Sequence, residues 1–173
     1  MLVLLLGGAR SGKSQLAVRL ASARPGEVVF LATGEASDEE MAARIELHRA
    51  ERPVGWSTVE EPRDLERALA DVQPDATVIV DCLSLWVSNL LETTPEDELV
   101  ARAEAAVRVA TARPGLTIVV SNEVGLGLVP MHPVGRAYRD ALGRVNAVWS
   151  TAADEAYLVV AGRALPLVEL ADA

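Results

Sequence analysis

Lysine is all but missing from this chain. Of its sixteen basic residues only Lys13 is a lysine, and the rest are arginine. Cysteine occurs once, as Cys82, which excludes an intrachain disulfide and a cysteine-rich metal cluster. Aromatic residues make up 3% of the sequence, so a core has to be built from Leu, Val and Ala. No apolar run approaches the roughly 20 residues needed to cross a bilayer. The N-terminal run is six residues long, with neither a charged region before it nor a cleavage site after it. The expectation is a soluble, cytoplasmic protein. Positive charge is scarce too: the formal net charge is −9, and no basic tract offers a footprint for nucleic acid or an anionic membrane. A chain of this length is read as one domain over residues 1–173.

What surrounds the lone lysine is specific. Gly7-Gly8-Ala9-Arg10-Ser11-Gly12-Lys13-Ser14 fits G-x-x-x-x-G-K-[ST]. In that loop backbone N–H groups cradle phosphates and a compact ammonium touches the β- and γ-phosphates. An arginine fork is larger than such a cradle suits. Before the loop, Leu2–Leu6 reads as a buried strand; after it, Ser14–Ala21 reads as a helix. Strand, glycine-rich turn and helix are the context that makes the loop a nucleoside triphosphate site.

Apolar runs recur along the chain with helical segments between them, the pattern of a mostly parallel α/β sheet covered on both faces. Strands are expected over Leu2–Leu6, Val28–Ala32, Ser57–Val59, Thr77–Val80, Thr117–Val120 and Ala156–Val160. An edge hairpin strand over Leu165–Val168 follows the turn Ala161-Gly162-Arg163. Helices are expected over Lys13–Ala23, Asp38–Arg49, Arg63–Asp71, Leu83–Leu91, Pro95–Ala112 and Gly135–Ala152. The fifth has the clearest ends: Thr94 as N-cap, Pro95 at the first helical position and Pro114-Gly115 as the stop.

In open α/β sheets ligands lie beyond the carboxyl ends of the strands. Thr33 and Gly34, then a polar stretch, follow the second strand. Asp81 ends Val78-Ile79-Val80, the arrangement in which an aspartate holds Mg²⁺ while Ser14 supplies a hydroxyl. Cys82, next to it, reads as a small packed thiol. After Thr117–Val120 comes Ser121-Asn122-Glu123-Val124-Gly125-Leu126-Gly127. This reads equally as an ordinary turn or as a loop whose glycines admit a ligand. Arg136, Arg139 and Arg144 fall on or near one helix, either as a solvated face or facing an anion. His132, between two prolines, fits a turn at least as well as chemistry. Pattern alone leaves His48 open between a structural histidine near a helix end and a nucleophile. A neutral imidazole near pH 7 can attack phosphorus to form a phosphoramidate. Arg49 and Arg52 follow closely enough in sequence to neutralise a triphosphate.

Several segments together go further: the phosphate loop, Leu31-Ala32-Thr33, Arg44-Ile45-x-x-His48-Arg49, Trp86-Val87-Ser88-Asn89-Leu90-Leu91, Asn122-Glu123-Val124-Gly125 and Gly143-Arg144-Val145-Asn146. In this combination the chain resembles the bifunctional adenosylcobinamide kinase/adenosylcobinamide-phosphate guanylyltransferase family of cobalamin biosynthesis, over nearly its whole length. The resemblance implies a RecA-like P-loop NTPase fold and two successive reactions. A nucleoside triphosphate, ATP or GTP, phosphorylates the aminopropanol hydroxyl of adenosylcobinamide. GMP from GTP is then joined to the new phosphate through a covalent histidine intermediate, giving adenosylcobinamide-GDP and pyrophosphate.

By the same resemblance His48 is the guanylylated nucleophile, with Lys13 as the second catalytic residue. Gly7, Gly8, Ala9, Arg10, Ser11, Gly12, Lys13 and Ser14 hold phosphates, and Ser14 with Asp81 handles Mg²⁺. Ala32, Thr33, Gly34, Arg49, Ala50, Glu51, Arg52, Glu60 and Asp81 contact guanine nucleotide. On chemistry alone, Glu60 can accept from guanine N1–H and N2–H₂. The family assembles as homotrimers, so the same is expected here. Two other readings fit the phosphate loop: a monofunctional small-molecule kinase with a structural His48, and a GTP-binding regulator.

Overall fold

Strand β1, Leu2–Gly7, is buried along its whole length, and its alternating side chains enter two different cores. Leu2, Leu4 and Leu6 join one; Val3 and Leu5 join the other. That division follows from the two-residue period of a strand, and it puts a covered sheet face on either side. The computed structural model describes residues 1–35, 39, 46, 49 and 52–168.

Among those residues the remaining strands are β2 (Val28–Ala32), β3 (Ser57–Glu60), β4 (Thr77–Asp81), β5 (Thr117–Asn122), β6 (Glu155–Val160) and β7 (Arg163–Leu167). They form one sheet in the order β3-β2-β4-β5-β1-β6-β7. Every neighbouring pair is parallel except β6 and β7, the hairpin at one edge. The hairpin strand begins two residues earlier than its expected start at Leu165.

The helices are α1 (Lys13–Ser22), α2 (Leu65–Asp71), α3 (Leu83–Leu90), α4 (Glu96–Ala112) and α5 (Pro133–Ala152). Helix α1 contributes Ala17 and Ala21 to the core that holds Val3, Leu5, Phe30, Ile79 and Ile118. The other four cover the opposite face through residues such as Leu69, Trp86, Leu99 and Trp149. The core is aliphatic, as six aromatic residues require, and Trp86 and Trp149 are its largest buried side chains.

Helix ends have local causes. Asp64 caps α2, its carboxylate accepting from the Arg67 N–H at 3.3 Å. Pro133 opens α5 at a position where its missing N–H costs nothing. The start of α4 corrects the expectation: Pro95, not Thr94, is the N-cap, and its carbonyl accepts from Leu99 N at 2.9 Å. No side chain caps that end, and Glu96, Asp97 and Glu98 in the first turn meet the helix dipole instead. The helix expected over Asp38–Arg49 lies largely outside the described residues; Glu39, Glu46 and Arg49 are helical. No helix among the described residues is long and apolar enough to cross a membrane.

Candidate active site

The carboxyl ends of five strands bring several of the expected residues to one edge. Ala32 on β2 stands in register with Glu60 on β3 and with Asp81 on β4. Gly7 on β1 stands level with Asn122 on β5. Residues far apart in sequence therefore share one rim because parallel strands all point the same way.

At the centre is the loop from β1 into α1. Gly7 has φ 155, and a Cβ there would come within 2.3 Å of the Val159 carbonyl oxygen, so only glycine fits against β6. Gly12, the N-cap of α1, is left-handed at φ 102. Arg10 takes φ 55 at the exposed crown. Lys13 is buried, and its ammonium donates to Gly7 O at 2.9 Å, Gly8 O at 2.7 Å and Ser11 Oγ at 3.5 Å. Those contacts hold the charge at the mouth of the loop, where the first N–H groups of a helix have no intrahelical partner. Burial pushes the Lys13 amine below its ordinary value, against the pull of Cys82 and Asp81. An anion seated in the loop restores the balance, which is the electrostatic condition of a phosphate site.

Asp81 ends β4 half-buried. Its charge acts on Lys13 and also on Arg52, so it stands between the phosphate loop and the segment that reaches β3. Arg52 lies over the Phe30 ring at 3.9 Å and donates to Thr58 Oγ1 at 3.0 Å. Its Nε is buried with no hydrogen-bond partner among the described residues. Burial, and after it Arg49, lowers its pKa from the ordinary arginine value. Arg49 bridges Glu46 at 2.6 Å and Glu60, both exposed. His48, Ala50 and Glu51 lie outside the described residues.

Thr33 has a role the sequence did not foretell. It is fully buried, and its hydroxyl donates to Cys82 O at 2.7 Å while accepting from Cys82 N at 2.8 Å. It thereby straps down the peptide that follows Asp81. Asn89 of α3 donates to Thr33 O at 2.8 Å and Pro62 O at 3.0 Å, tying this strap to the next loop. On the other side of the sheet centre, Asn146 is buried and links β5 to α5. It accepts from Ser121 Oγ at 2.6 Å and donates to Asn122 O at 3.0 Å. Ala161 and Gly162 were legible only as a hairpin turn; the structure rests that turn on Ser11, whose carbonyl accepts from Gly162 N at 2.8 Å. No local signal in the sequence marks these long-range partners.

Arg139 and Arg144 line one open pocket with Gly125 of the loop after β5, while Arg136 is engaged elsewhere. Arg136 donates to Pro130 O and Met131 O, Arg139 pairs with Asp140, and Arg144 pairs with Glu96. The first caps its own loop, and the other two are held at the pocket wall by these ion pairs. His132 is exposed and serves as the N-cap position of α5.

A phosphate loop with a buried lysine, an aspartate ending a parallel strand, and one further strand between them define a RecA-like P-loop NTPase fold. Two solved structures share the fold. A protein of Pyrococcus horikoshii OT3 superimposes with a TM-score of 0.58 at 8% identity, over 95% of this chain and 84% of that one. An ATPase from the type III secretion system of pathogenic bacteria gives 0.55 at 13% identity, over 91% and 50%.

Within that class the chain belongs to the cobinamide kinase / cobinamide phosphate guanyltransferase family, whose model matches residues 3–167. It is 42% identical to the bifunctional adenosylcobalamin biosynthesis protein CobP of Pseudomonas aeruginosa, over 95% of both chains. It is 40% identical to CobU of Salmonella typhimurium and 39% to CobU of Escherichia coli, in each case over 94% of this chain and 97% of the relative. Both are described as bifunctional adenosylcobalamin biosynthesis proteins.

Proposed function

We propose that this chain, as one nucleotide-binding domain, phosphorylates adenosylcobinamide with a nucleoside triphosphate and then transfers GMP from GTP to adenosylcobinamide phosphate through guanylyl-His48. The products are adenosylcobinamide-GDP and pyrophosphate. The observation that carries the reading is the buried Lys13 ammonium over the loop carbonyls, in a chain that matches the family from residue 3 to 167.

Both reactions are displacements at phosphorus, where positioning and charge neutralisation supply most of the catalysis. Gly7, Gly8, Ala9, Arg10, Ser11 and Gly12 form the cradle, and Lys13 meets the outer phosphates. Ser14 and Asp81 are an oxygen-only donor pair with one carboxylate, which suits Mg²⁺ bound largely through substrate phosphates. The ion would supply charge neutralisation on the β- and γ-oxygens. In the second reaction the His48 imidazole attacks the α-phosphorus and pyrophosphate leaves; the phosphate oxygen of the acceptor then displaces histidine. Ala32, Thr33 and Gly34, with Arg49, Ala50, Glu51 and Arg52, line the guanine side, where the Arg52 Nε, without a hydrogen-bond partner among the described residues, offers a donor. Glu60 accepts from guanine N1–H and N2–H₂ by giving up Arg49. That exposed pair is worth only about 0–1 kcal/mol, so the exchange is inexpensive. A cytoplasmic homotrimer is the form in which we expect it to act.

Incubation with α-labelled GTP and Mg²⁺, followed by denaturation, is expected to leave an acid-labile label on wild type and none on His48→Ala. A wild-type protein that takes up no label refutes the guanylyltransferase half.

A further inference from the structure

Phosphorylating an alcohol requires its proton to go somewhere, and the rim offers few acceptors. Among the described residues Glu35 pairs with Arg63 at 3.2 Å, and Glu60 pairs with Arg49. Glu61 accepts the N–H groups of Arg63 and Asp64 at 3.0 and 2.9 Å and pairs with Arg67 at 3.0 Å. Asp81 is assigned above to the metal. Glu123 is different. It follows β5, the strand between the phosphate loop's β1 and Asp81's β4. Its own N–H donates at 3.1 Å to Gly7 O, the same carbonyl that accepts from Lys13 Nζ at 2.9 Å. The base of Glu123 is thus fastened to the loop that grips the phosphates. Its half-buried carboxylate is aimed by the Gly125 N–H on one oxygen and makes no ion pair among the described residues. The segment is held from behind by Asn146 on Asn122 O.

We propose that Glu123 is the general base of the kinase reaction. This rests on the two-reaction reading above and assigns the proton acceptor of its first half. As the aminopropanol oxygen attacks the γ-phosphorus, its proton passes to the Glu123 carboxylate. The bond from the γ-phosphorus to the bridging oxygen breaks, and the nucleoside diphosphate leaves with the electron pair. The proton is then lost to solvent. The guanylyl steps need no such group, because their nucleophiles are a neutral imidazole and an already ionised phosphate. One bifunctional protein therefore contains its own control.

The test is Glu123→Gln, which keeps an oxygen to accept from the Gly125 N–H but takes up no proton. Kinase turnover with adenosylcobinamide is expected to fall by about 10²–10⁴-fold with little change in KM. Labelling of His48 by α-labelled GTP, and GMP transfer to supplied adenosylcobinamide phosphate, should stay within about threefold of wild type, general-base catalysis playing no part in them. Kinase turnover within about threefold of wild type overturns the assignment, since a lost base costs far more. So does an equal fall in both reactions, which makes Glu123 part of the shared nucleotide seat. Absence of label in wild type is a separate result and counts against the guanylyltransferase reading instead.

Discussion

The Gly162 amide donates to the Ser11 carbonyl across 2.8 Å, so the turn of the C-terminal hairpin rests on the phosphate loop. In a trans peptide the C=O and the following N–H point in opposite directions. Fixing Ser11 O toward Gly162 therefore turns the Gly12 N–H the other way, toward the cradle. The approach is close: a Cβ on Gly12 would stand 3.3 Å from Gly162 Cα. Gly162 itself sits at φ 76, a conformation asparagine tolerates and proline does not.

Replacing Gly162 by Pro removes the donor and is expected to weaken nucleotide binding about 5- to 30-fold, the equivalent of about 1–2 kcal/mol. Gly162→Asn keeps the N–H and should bind nearly as wild type. Titration with a fluorescent GDP analogue reads both. If the proline variant melts earlier yet binds undiminished, the turn supports the fold and not the loop.

Thr33→Val keeps the shape of a side chain but loses both bonds to Cys82. Two buried backbone groups are left without that partner, and stability should drop by about 1–3 kcal/mol. Thr33→Ser restores most of it. Urea unfolding of the three proteins measures the difference, and a Thr33→Val protein as stable as wild type would refute the strap.

Burial, reinforced by the neighbouring Asp81 carboxylate, pushes the Cys82 thiol up to about 11, against the weaker pull of hydrogen bonds from Ser84 and Leu85. The native protein should therefore resist a thiol-specific reagent at pH 8 and react only once unfolded. The unfolded chain ionises at an ordinary thiol pKa and the native one higher. Between those values the unfolded state binds fewer protons, so stability from this group is full below the lower value and declines as pH rises. Rapid native-state labelling at pH 8 would contradict the packed-thiol reading.

Arg113, at the opposite end of the sheet, is buried and donates to the carbonyls of Leu69, Val72, Gln73 and Ala76 at 2.9–3.1 Å. Its fork ties the end of α2 and the entry to β4 to the end of α4. Arg113→Met should cost at least about 2 kcal/mol, because charged donors vanish and carbonyls stay buried. Arg113→Lys should recover little, since one ammonium cannot span four acceptors. Thermal melts test this, and histidine labelling measured below the melting temperature should be unaffected.

Local chemistry made much of this protein legible in advance. The strand runs announced themselves as β-branched and leucine-rich stretches, and β2 falls on its expected residues, Val28–Ala32. The phosphate loop was readable because a lysine that appears once, between Gly12 and Ser14, has few alternative explanations. The start of α4 falls one residue after the expected one because proline fits both N-cap and first-turn positions. Arg136, Arg139 and Arg144 could not be sorted by spacing, since a charged side chain's partner depends on what is folded against it.

By itself the sequence determined the class of fold, the phosphate loop, Asp81 at a strand end and the family resemblance, all of which live in residues close together along the chain. Tertiary structure alone decided that β5 separates β1 from β4, that Thr33 straps Cys82, that Gly162 braces Ser11 and that Glu123 leans on Gly7. The reason is physical. Periodicity and motif report the environment each side chain needs, whereas strand order and long-range hydrogen bonds arise only when separate segments compete for the same neighbours.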